Sequence, residues 1–274
     1  MVHKIFHVWR NTPFGRETLR QTVFFAQRLG VQVELIQPRT SKCLLDFGGE
    51  LISLSLDASY LRSPGTARVE AERLLEDKQL NWKWNESSAL AAEDLPVYSI
   101  DADYLACPRV MSERSTRIGL GQIGAGVRHI VHKARSPILI PAPVFRPWSR
   151  IVSFFGGSAA SVEATRLAGS VAHAAGVPLT VFSYVKPGAP HEREALEQAV
   201  EALRPDLPEC DWIVSDSSAL EEALMDVPTD SLLVLGAYGH GLIKKRLFGG
   251  FAETVQSVVP APLFIVGPHA LQSA

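Results

Sequence analysis

The sequence predicts an α/β protein of two doubly wound domains, and three observations support this. Apolar segments typical of buried parallel strands alternate with amphipathic helical segments. The order of these segments repeats once along the chain. A proline-rich segment, residues 141–147, lies between the two copies. Because parallel strands need crossover connections, alternating strands and helices indicate a parallel sheet covered by helices on both faces.

The two copies begin in the same way, with a strand, a helix, a Gly-Val step and a second strand. The first strands begin near Ile5 and Ile151, which are 146 positions apart. Gly30 and Gly176, which precede the second strands, are separated by the same 146 positions. A shared spacing of this kind indicates duplication. We therefore predict domains at residues 1–143 and 144–274.

The helices that follow the first strands each present an apolar face. These faces carry Leu19, Val23, Ala26 and Leu29 in the first copy and Leu167, Val171 and Ala175 in the second. The spacing of three or four residues predicts that these side chains face the sheet.

The two copies also end alike. Gly124 and Gly249 each precede the proline before a final apolar strand by 13 residues. These two glycines are 125 positions apart, so the first copy holds 21 additional residues. We place the additional residues within 42–80. Next to them, the sequence 82–84 (Trp-Lys-Trp) alternates as an amphipathic edge strand does.

The middle of the second copy continues the strand–helix pattern. A helix is predicted over residues 191–203 and a short strand over 212–214. Ser218 and Glu221 have the spacing of a capping box, which predicts a helix running to Met225. A buried strand then follows at 231–235.

Composition restricts the function classes. The hydrophobic fraction is 46%, the charged fraction 20% and the formal net charge -2. This charge predicts neither a nucleic-acid nor a membrane partner. No apolar run approaches the ~20 residues that cross a bilayer. Three widely spaced cysteines, Cys43, Cys107 and Cys210, make a disulfide framework implausible and favour a cytoplasmic location.

A glycine loop is the strongest chemical signal in the sequence. Gly236 and Gly239 follow the buried strand 231–235, and Gly249 and Gly250 precede a helical run. Glycines let backbone N–H groups approach an anion, and a helix N-terminus supplies unpaired donors. The loop also contains the basic residues His240, Lys244, Lys245 and Arg246. This arrangement favours phosphate binding.

The spacing of Gly236, Gly239 and Gly249 resembles the nucleotide-binding signature of the universal stress protein family, and the flanking strands resemble that family too. The resemblance covers both copies. It implies a Rossmann-like, five-stranded parallel sheet of order 3-2-1-4-5 in each copy. It also implies pairing through the last strands, here residues 138–140 and 263–266, and hence a homodimer contact.

The resemblance further implies an adenine nucleotide as ligand: ATP, with ADP and AMP as alternatives and Mg²⁺ as the accompanying ion. The predicted binding residues are Gly236, Gly239, His240, Gly249, Gly250, Phe251 and Tyr184. Tyr184 ends the second strand, where it either stacks on adenine or packs at the edge of the core.

The sequence departs from the family pattern at several positions. Gly250 stands where the family has Ser or Thr, and Gly156 where it has an acidic residue. In the first copy that acidic position is Arg10, and the glycine loop is replaced by residues 106–109 (Ala-Cys-Pro-Arg). We therefore expect a degenerate first domain without a phosphate site.

Three further segments resemble binding motifs, but we interpret each of them as a structural feature. Residues 119–124 match the dinucleotide fingerprint G-x-G-x-x-G, but no strand precedes them. Residues 155–161 resemble the loop of ATP pyrophosphatases without its aspartate, so Ser158 is predicted to cap the next helix. His129 and His132 lie three apart on a helix without a third metal ligand nearby in sequence, which favours a helix-end role.

These observations predict a cytoplasmic stress-response or regulatory protein that binds ATP in its second domain and is not an enzyme, since no nucleophile–base pair accompanies the loop. The alternative is an interaction protein in which the loop is structural and the ligand is an unidentified protein partner.

Overall fold

The structure is a computed structural model, and it describes residues 3–76, 78–87, 89–90, 95–109, 111, 123–237 and 251–270. The chain divides into two compact units, unit 1 (residues 1–145) and unit 2 (residues 146–274). In the described part of the chain, no helix has both the length and the apolar character needed to cross a membrane.

Unit 2 is a five-stranded parallel sheet with helices between its strands. Its strands are β10 (Arg150–Phe154), β11 (Leu179–Tyr184), β12 (Cys210–Ser215), β13 (Ser231–Gly236) and β14 (Leu263–Val266), and its helices are α4 (Ala159–Ala175), α5 (Pro190–Leu203), α6 (Leu220–Met225) and α7 (Phe251–Val258). The spatial order is β12-β11-β10-β13-β14, and every neighbouring pair is parallel. In chain order this is 3-2-1-4-5, as the family resemblance implies.

Unit 1 contains the same sheet. Its main strands are β1 (Lys4–Val8), β2 (Gln32–Ile36), β5 (Trp82–Trp84), β8 (Tyr104–Ala106) and β9 (Ile138–Ile140), and its helices are α1 (Pro13–Leu29), α2 (Pro64–Leu75) and α3 (Ala125–Lys133). The order β9-β8-β1-β2-β5 is again all parallel and again 3-2-1-4-5 in chain order. The predicted edge strand at 82–84 is therefore confirmed.

The first helix of each unit begins at a side-chain N-cap and ends at a glycine C-cap. Thr12 caps α1 by accepting a hydrogen bond from Gly15 N (3.1 Å), and Ser158 caps α4 by accepting from Ser161 N (3.1 Å). Both helices end at a left-handed glycine, with φ of 65° at Gly30 and 62° at Gly176. The prediction that Ser158 caps a helix is confirmed.

Unit 1 also carries a second, four-stranded sheet. Its strands are β3 (Lys42–Asp46), β4 (Leu51–Ser55), β6 (Ala89–Leu90) and β7 (Pro96–Ser99), in the order β4-β3-β7-β6. The β3–β4 hairpin and a 3₁₀ turn (Ala58–Tyr60) precede α2, whereas β6 and β7 take the place that helix α6 has in unit 2. The added structure thus extends past residue 80, beyond the predicted segment 42–80.

The segment that ends unit 1 is held on helix α1. The side-chain amide of Gln21 donates to Ala142 O (2.8 Å), and its oxygen accepts from Ala142 N (2.9 Å). The Glu17 carboxylate accepts from Phe145 N (2.7 Å), and the Phe145 ring meets Phe24 edge to face at 5.7 Å. The chain therefore belongs to unit 1 up to Phe145.

Two details of unit 2 differ from the predictions. The capping box at Ser218 is wrong: Ala219 is the N-cap residue without a side-chain bond, and the Ser218 hydroxyl donates to Glu222 instead (2.6 Å). The buried face of α4 is lined mainly by small residues, whereas the predicted Leu167 and Ala175 are only half-buried. The fully or nearly fully buried residues of that face include Ala160, Ala164, Thr165, Ala168, Val171 and Ala172.

Candidate functional site

The candidate site lies at the carboxyl ends of β10 and β13 in unit 2. These strands are neighbours, and the strand order reverses between them, since β10 continues to β11 on one side and β13 to β14 on the other. In open α/β sheets a crevice forms at this point, because the connections from the two strands leave in opposite directions. The sequence alone predicts the site here through the glycines after residue 235.

The β10 side of the site is a tight turn into helix α4. Gly157 has a φ of 74°, which a residue with a side chain adopts only with strain. The Ser158 hydroxyl accepts from Ser161 N, so the first turn of α4 already has a donor satisfied by its own cap. Gly156, at the position of the family's acidic residue, is half-buried and contributes no charge.

On the other side of the site, Gly236 at the end of β13 lies against helix α4. A Cβ atom on Gly236 would lie 2.4 Å from both the carbonyl carbon and the oxygen of Ala160, and 2.7 Å from Ser161 N. These are backbone atoms, which cannot move aside cheaply. The glycine is therefore required for helix–strand packing, whatever ligand the site takes.

Helix α7 begins over the end of strand β10. The ring of Phe251, its first residue, meets the ring of Phe154 edge to face at 5.4 Å. Phe154 is 4% exposed and also contacts Phe182 at 5.5 Å, so it is a fixed support. The N-terminus of α7, where backbone N–H groups are unpaired within the helix, thus lies beside the carboxyl end of β10.

Tyr184 ends β11, on the side of β10 away from β13. It is half-buried and pairs with Ser215 of β12 in the sheet register. The hydroxyl of the preceding Ser183 donates to Phe155 O (2.9 Å), which ties β11 to the loop after β10. Tyr184 thus lies at the end of β11, whereas Phe251 contacts Phe154 at the end of β10.

The remaining predicted site residues lie outside the described residues. These are Gly239, His240, Gly249 and Gly250, together with Lys244, Lys245 and Arg246. The dinucleotide-like segment 119–124 is described only at Ile123 and Gly124, and Gly124 is the N-cap residue of α3.

The equivalent place in unit 1 contains a buried arginine. Arg10, at the position of Gly156, is 6% exposed. Its Nε donates to Ser59 Oγ (2.5 Å), its guanidinium lies 3.3 Å from the Asp57 carboxylate, and its Cζ is 5.0 Å from the Tyr60 ring centroid. All three partners belong to the segment at the 3₁₀ turn between β4 and α2.

The start of helix α2 also contacts the neighbouring residues at this end of the sheet. Trp9 Nε1 donates to Ala67 O (2.8 Å), and Gln37 Nε2 donates to Pro64 O (2.8 Å). The carboxyl ends of β1 and β2, where the family resemblance places adenine, are therefore in contact with unit 1's own chain. No pattern in the sequence predicts these contacts, although Asp57 and Ser59 have the spacing of an Asx turn.

A second arginine stands where unit 1 lacks the glycine loop. Burial lowers the pKa of the Arg109 guanidinium to about 10, and its Nε donates to Pro141 O (3.4 Å). Gly124 N donates to Arg109 O (2.9 Å), so the segment after β8 is bound to the start of α3.

Metal-ligand geometry is not found in the described part of the candidate sites. Among the described residues, no group of three or more His, Cys, Asp or Glu side chains could hold a metal ion. Cys43 and Cys107 are buried, and burial raises the pKa of each thiol to about 12.

Comparison with known proteins identifies the fold. No protein-family model and no curated protein matches the chain. Among solved structures, a universal stress protein from Archaeoglobus fulgidus aligns with a TM-score of 0.58 at 13% identity, over 96% of this chain and 98% of that one. A protein of Pseudomonas aeruginosa UCBPP-PA14, provisionally assigned to the universal stress proteins, aligns with a TM-score of 0.57 at 11% identity, over 98% and 94%.

A similar fold also occurs in a domain of a cotransporter. The cytoplasmic domain of a prokaryotic cation chloride cotransporter aligns with a TM-score of 0.52 at 10% identity, over 100% of this chain and 99% of that domain. At these identities the comparisons show the universal stress protein fold.

Proposed function

We propose that this chain, which has the fold of the universal stress proteins, is a two-domain member of that family and acts as a cytoplasmic stress-response or regulatory protein. Unit 2 binds an adenine nucleotide, with ATP as the first candidate, and unit 1 does not. The shared strand order and the glycine spacing at 236, 239 and 249 support this assignment.

The observation that carries the proposal is the position of helix α7. The Phe154–Phe251 contact holds its N-terminus beside the end of β10, across the reversal point from Gly236. A helix N-terminus carries partial positive charge and free N–H donors, which suit a phosphate chain. The glycine-rich sequence 238–250 connects β13 to this helix.

Two substitutions relative to the family pattern weaken the proposed binding. Gly156 removes a carboxylate and Gly250 removes a hydroxyl. Together they cost about 1–3 kcal/mol, or about tenfold to a hundredfold in affinity. We therefore expect weak binding, in the sub-millimolar range.

Catalysis is not part of the proposed function. In the described part of the site, the side chains nearest the reversal point are phenylalanines and capping serines, which supply no general base. ATP should accordingly be hydrolysed no faster than in buffer.

One observation favours an alternative, an interaction protein whose glycine loop is structural. The packing of α4 on β13 fully accounts for Gly236, so this glycine does not itself require a phosphate ligand. The similar fold of a cotransporter's cytoplasmic domain is compatible with this alternative.

The test is isothermal titration of the full chain with ATP, ADP and AMP, with and without Mg²⁺. We expect saturable binding that Gly249→Val abolishes, because the added side chain would obstruct the approach of phosphate to the helix N-terminus. The matched control is Gly124→Val, at the corresponding position of unit 1, which should leave binding unchanged.

Absence of heat at concentrations suited to sub-millimolar affinity would reject nucleotide binding and favour the interaction protein. Equal loss in the Gly249 and Gly124 variants, with circular dichroism showing both folded, would contradict the assignment to unit 2.

A further inference from the structure

Strand β4 forms one edge of the four-stranded sheet in unit 1, and its outer side is open. Within the described residues, β3 is the only strand that pairs with it. Leu56 N donates to Ser41 O (2.8 Å), and hydrogen-bonded pairs alternate along an antiparallel ladder, so the even-numbered residues face β3. The backbone N–H and C=O groups of Leu51, Ser53 and Ser55, which we call the β4 edge, therefore point away from β3.

The side chains of β4 alternate between a buried and an exposed face. Ile52 and Leu54 are 1% and 2% exposed, whereas Leu51, Ser53 and Ser55 are exposed. Helix α3 contacts β4. The helix lies on the buried face, because on the other face it would cover the exposed side chains. A segment that paired with the β4 edge would thus turn every second side chain toward the side on which helix α3 lies.

Two cations lie at the end of helix α3, next to the start of β4. Lys133 Nζ is 3.5 Å from one oxygen of the Glu50 carboxylate, and Arg135 Nε is 4.0 Å from the other. The two basic side chains are 41% and 51% exposed. Because one carboxylate is shared by two cations, an excess of positive charge remains. Glu50 is even-numbered and therefore lies on the same side of the strand as Ile52 and the helix.

The other charges near β4 do not cancel this excess. Asp57, which follows the strand, is paired with the buried guanidinium of Arg10 at 3.3 Å. On the exposed face, the neighbouring strand β3 contributes one charge of each sign, Lys42 and Asp46. Residues 51–56 (Leu-Ile-Ser-Leu-Ser-Leu) are uncharged. The β4 edge thus combines open backbone groups with positive charge on the helix side.

We propose that the β4 edge binds an extended, acidic segment of another protein, which adds a strand to the four-stranded sheet. Backbone hydrogen bonds to the β4 edge supply the affinity, and acidic side chains on the helix side of the added strand meet Lys133 and Arg135. The β4 strand of a second copy would bring no acidic side chain to these cations, because it is uncharged. This binding surface does not depend on nucleotide binding by unit 2.

The test is fluorescence anisotropy of a labelled peptide, as long as β4, in which glutamate alternates with valine. We expect saturable binding to the full chain. The same peptide with lysine in place of glutamate should bind at least about tenfold more weakly, because like charges then meet. N-methylation of the valine amides, which face β4 when the glutamates lie on the helix side, should abolish binding.

Variants of the protein test the two parts of the surface separately. Ser53→Pro removes an outward N–H without removing a hydrogen bond to β3, and it should abolish binding. Lys133→Gln combined with Arg135→Gln should weaken binding about threefold to tenfold, and added salt should reduce this difference. The matched control is Lys42→Gln, on the face of the sheet away from helix α3, which should leave the affinity unchanged. Circular dichroism checks that each variant is folded.

Three results would overturn the proposal. The first is the absence of saturable binding, or equal affinity for the glutamate and lysine peptides. The second is binding that survives both Ser53→Pro and N-methylation of the peptide, which would exclude strand addition even if the variant alone were hard to interpret. The third is a concentration-dependent dimer in sedimentation equilibrium that Ser53→Pro abolishes, which would assign the β4 edge to a second copy.

Discussion

His7 is a titratable side chain in the core of unit 1. It is fully buried, its Nδ1 lies 3.0 Å from Thr22 Oγ1, and its Nε2 has no hydrogen-bond partner among the described residues. The Thr22 hydroxyl donates to Thr18 O (3.1 Å), so it accepts from His7 Nδ1. Burial lowers the pKa of this imidazole to about 3, and His7 is therefore neutral in the native state.

The low pKa of His7 predicts loss of stability in acid. Below about pH 6.5 the unfolded chain binds a proton at this position that the native chain does not. The free energy of unfolding should thus fall by about 1.4 kcal/mol for each pH unit between about 6.5 and 3 from this residue alone. Urea unfolding of the parent and His7→Leu at several pH values measures the difference, and parallel pH slopes would contradict it.

Gly236 provides a second prediction at the residue scale. Gly236→Ala should destabilise unit 2 by about 1–3 kcal/mol, because the methyl group meets the backbone of Ala160 at 2.4 Å. Gly65→Ala is the control, since a Cβ there meets nothing within 4 Å in helix α2, and it should be neutral or stabilising. Urea denaturation of both variants gives the comparison, and a neutral Gly236→Ala would contradict the close packing.

At the scale of elements, the segment around the 3₁₀ turn acts as a cover for the end of β1. Asp57 accepts from Ser59 N (2.9 Å), which shapes the turn, and also faces the buried Arg10 guanidinium. Asp57→Ala should therefore cost about 2–3 kcal/mol of stability, because it removes a charged partner from a buried cation.

The matched control for Asp57 is Asp206→Ala. Asp206 lies in the 3₁₀ turn of unit 2 and pairs with Arg166 at 2.8 Å, but both side chains are nearly half exposed. An exposed pair contributes at most about 1 kcal/mol. Equal effects of the two variants in thermal unfolding would show that the turn does not anchor Arg10.

Helix α4 shows why a helix face can be mispredicted. A spacing of three or four residues between large apolar side chains predicts that Leu167 faces the sheet, whereas the buried residues are small ones such as Ala164 and Ala168. The helix lies so close to β13 that Gly236 cannot carry a Cβ, and only small side chains fit between them. Close packing, which depends on the other strand, overrides the local pattern.

At the scale of the molecule, the proposed function predicts that the units respond differently to nucleotide. A ligand at ten times its dissociation constant stabilises the domain that binds it by about 1.4 kcal/mol. Hydrogen exchange of the full chain should therefore slow in β10 and β13 when ATP is added, but not in β1 and β8. Equal slowing in both sets of strands would contradict a site confined to unit 2.

Much of the architecture is predictable from the sequence because the order of its segments repeats, and each copy can be checked against the other. Matching positions such as Gly30 and Gly176 located equivalent strands, and the resemblance to universal stress proteins is confirmed at the level of the fold. The added sheet was only partly located, because the β6–β7 hairpin replaces a helix rather than adding a separate segment. The contacts of Arg10 depend on chain brought back from about fifty residues away, which no local pattern encodes.

The contacts of Arg10 with the 3₁₀ turn affect whether unit 1 can bind a free ligand at the end of β1. A group tethered to its own site competes at an effective concentration in the millimolar range or above, and dilution does not remove it. On the proposed function, the turn that holds Arg10 would compete with free nucleotide for the end of β1. Unit 1 would then be insensitive to cellular nucleotide levels, and any sensing would depend on unit 2 alone.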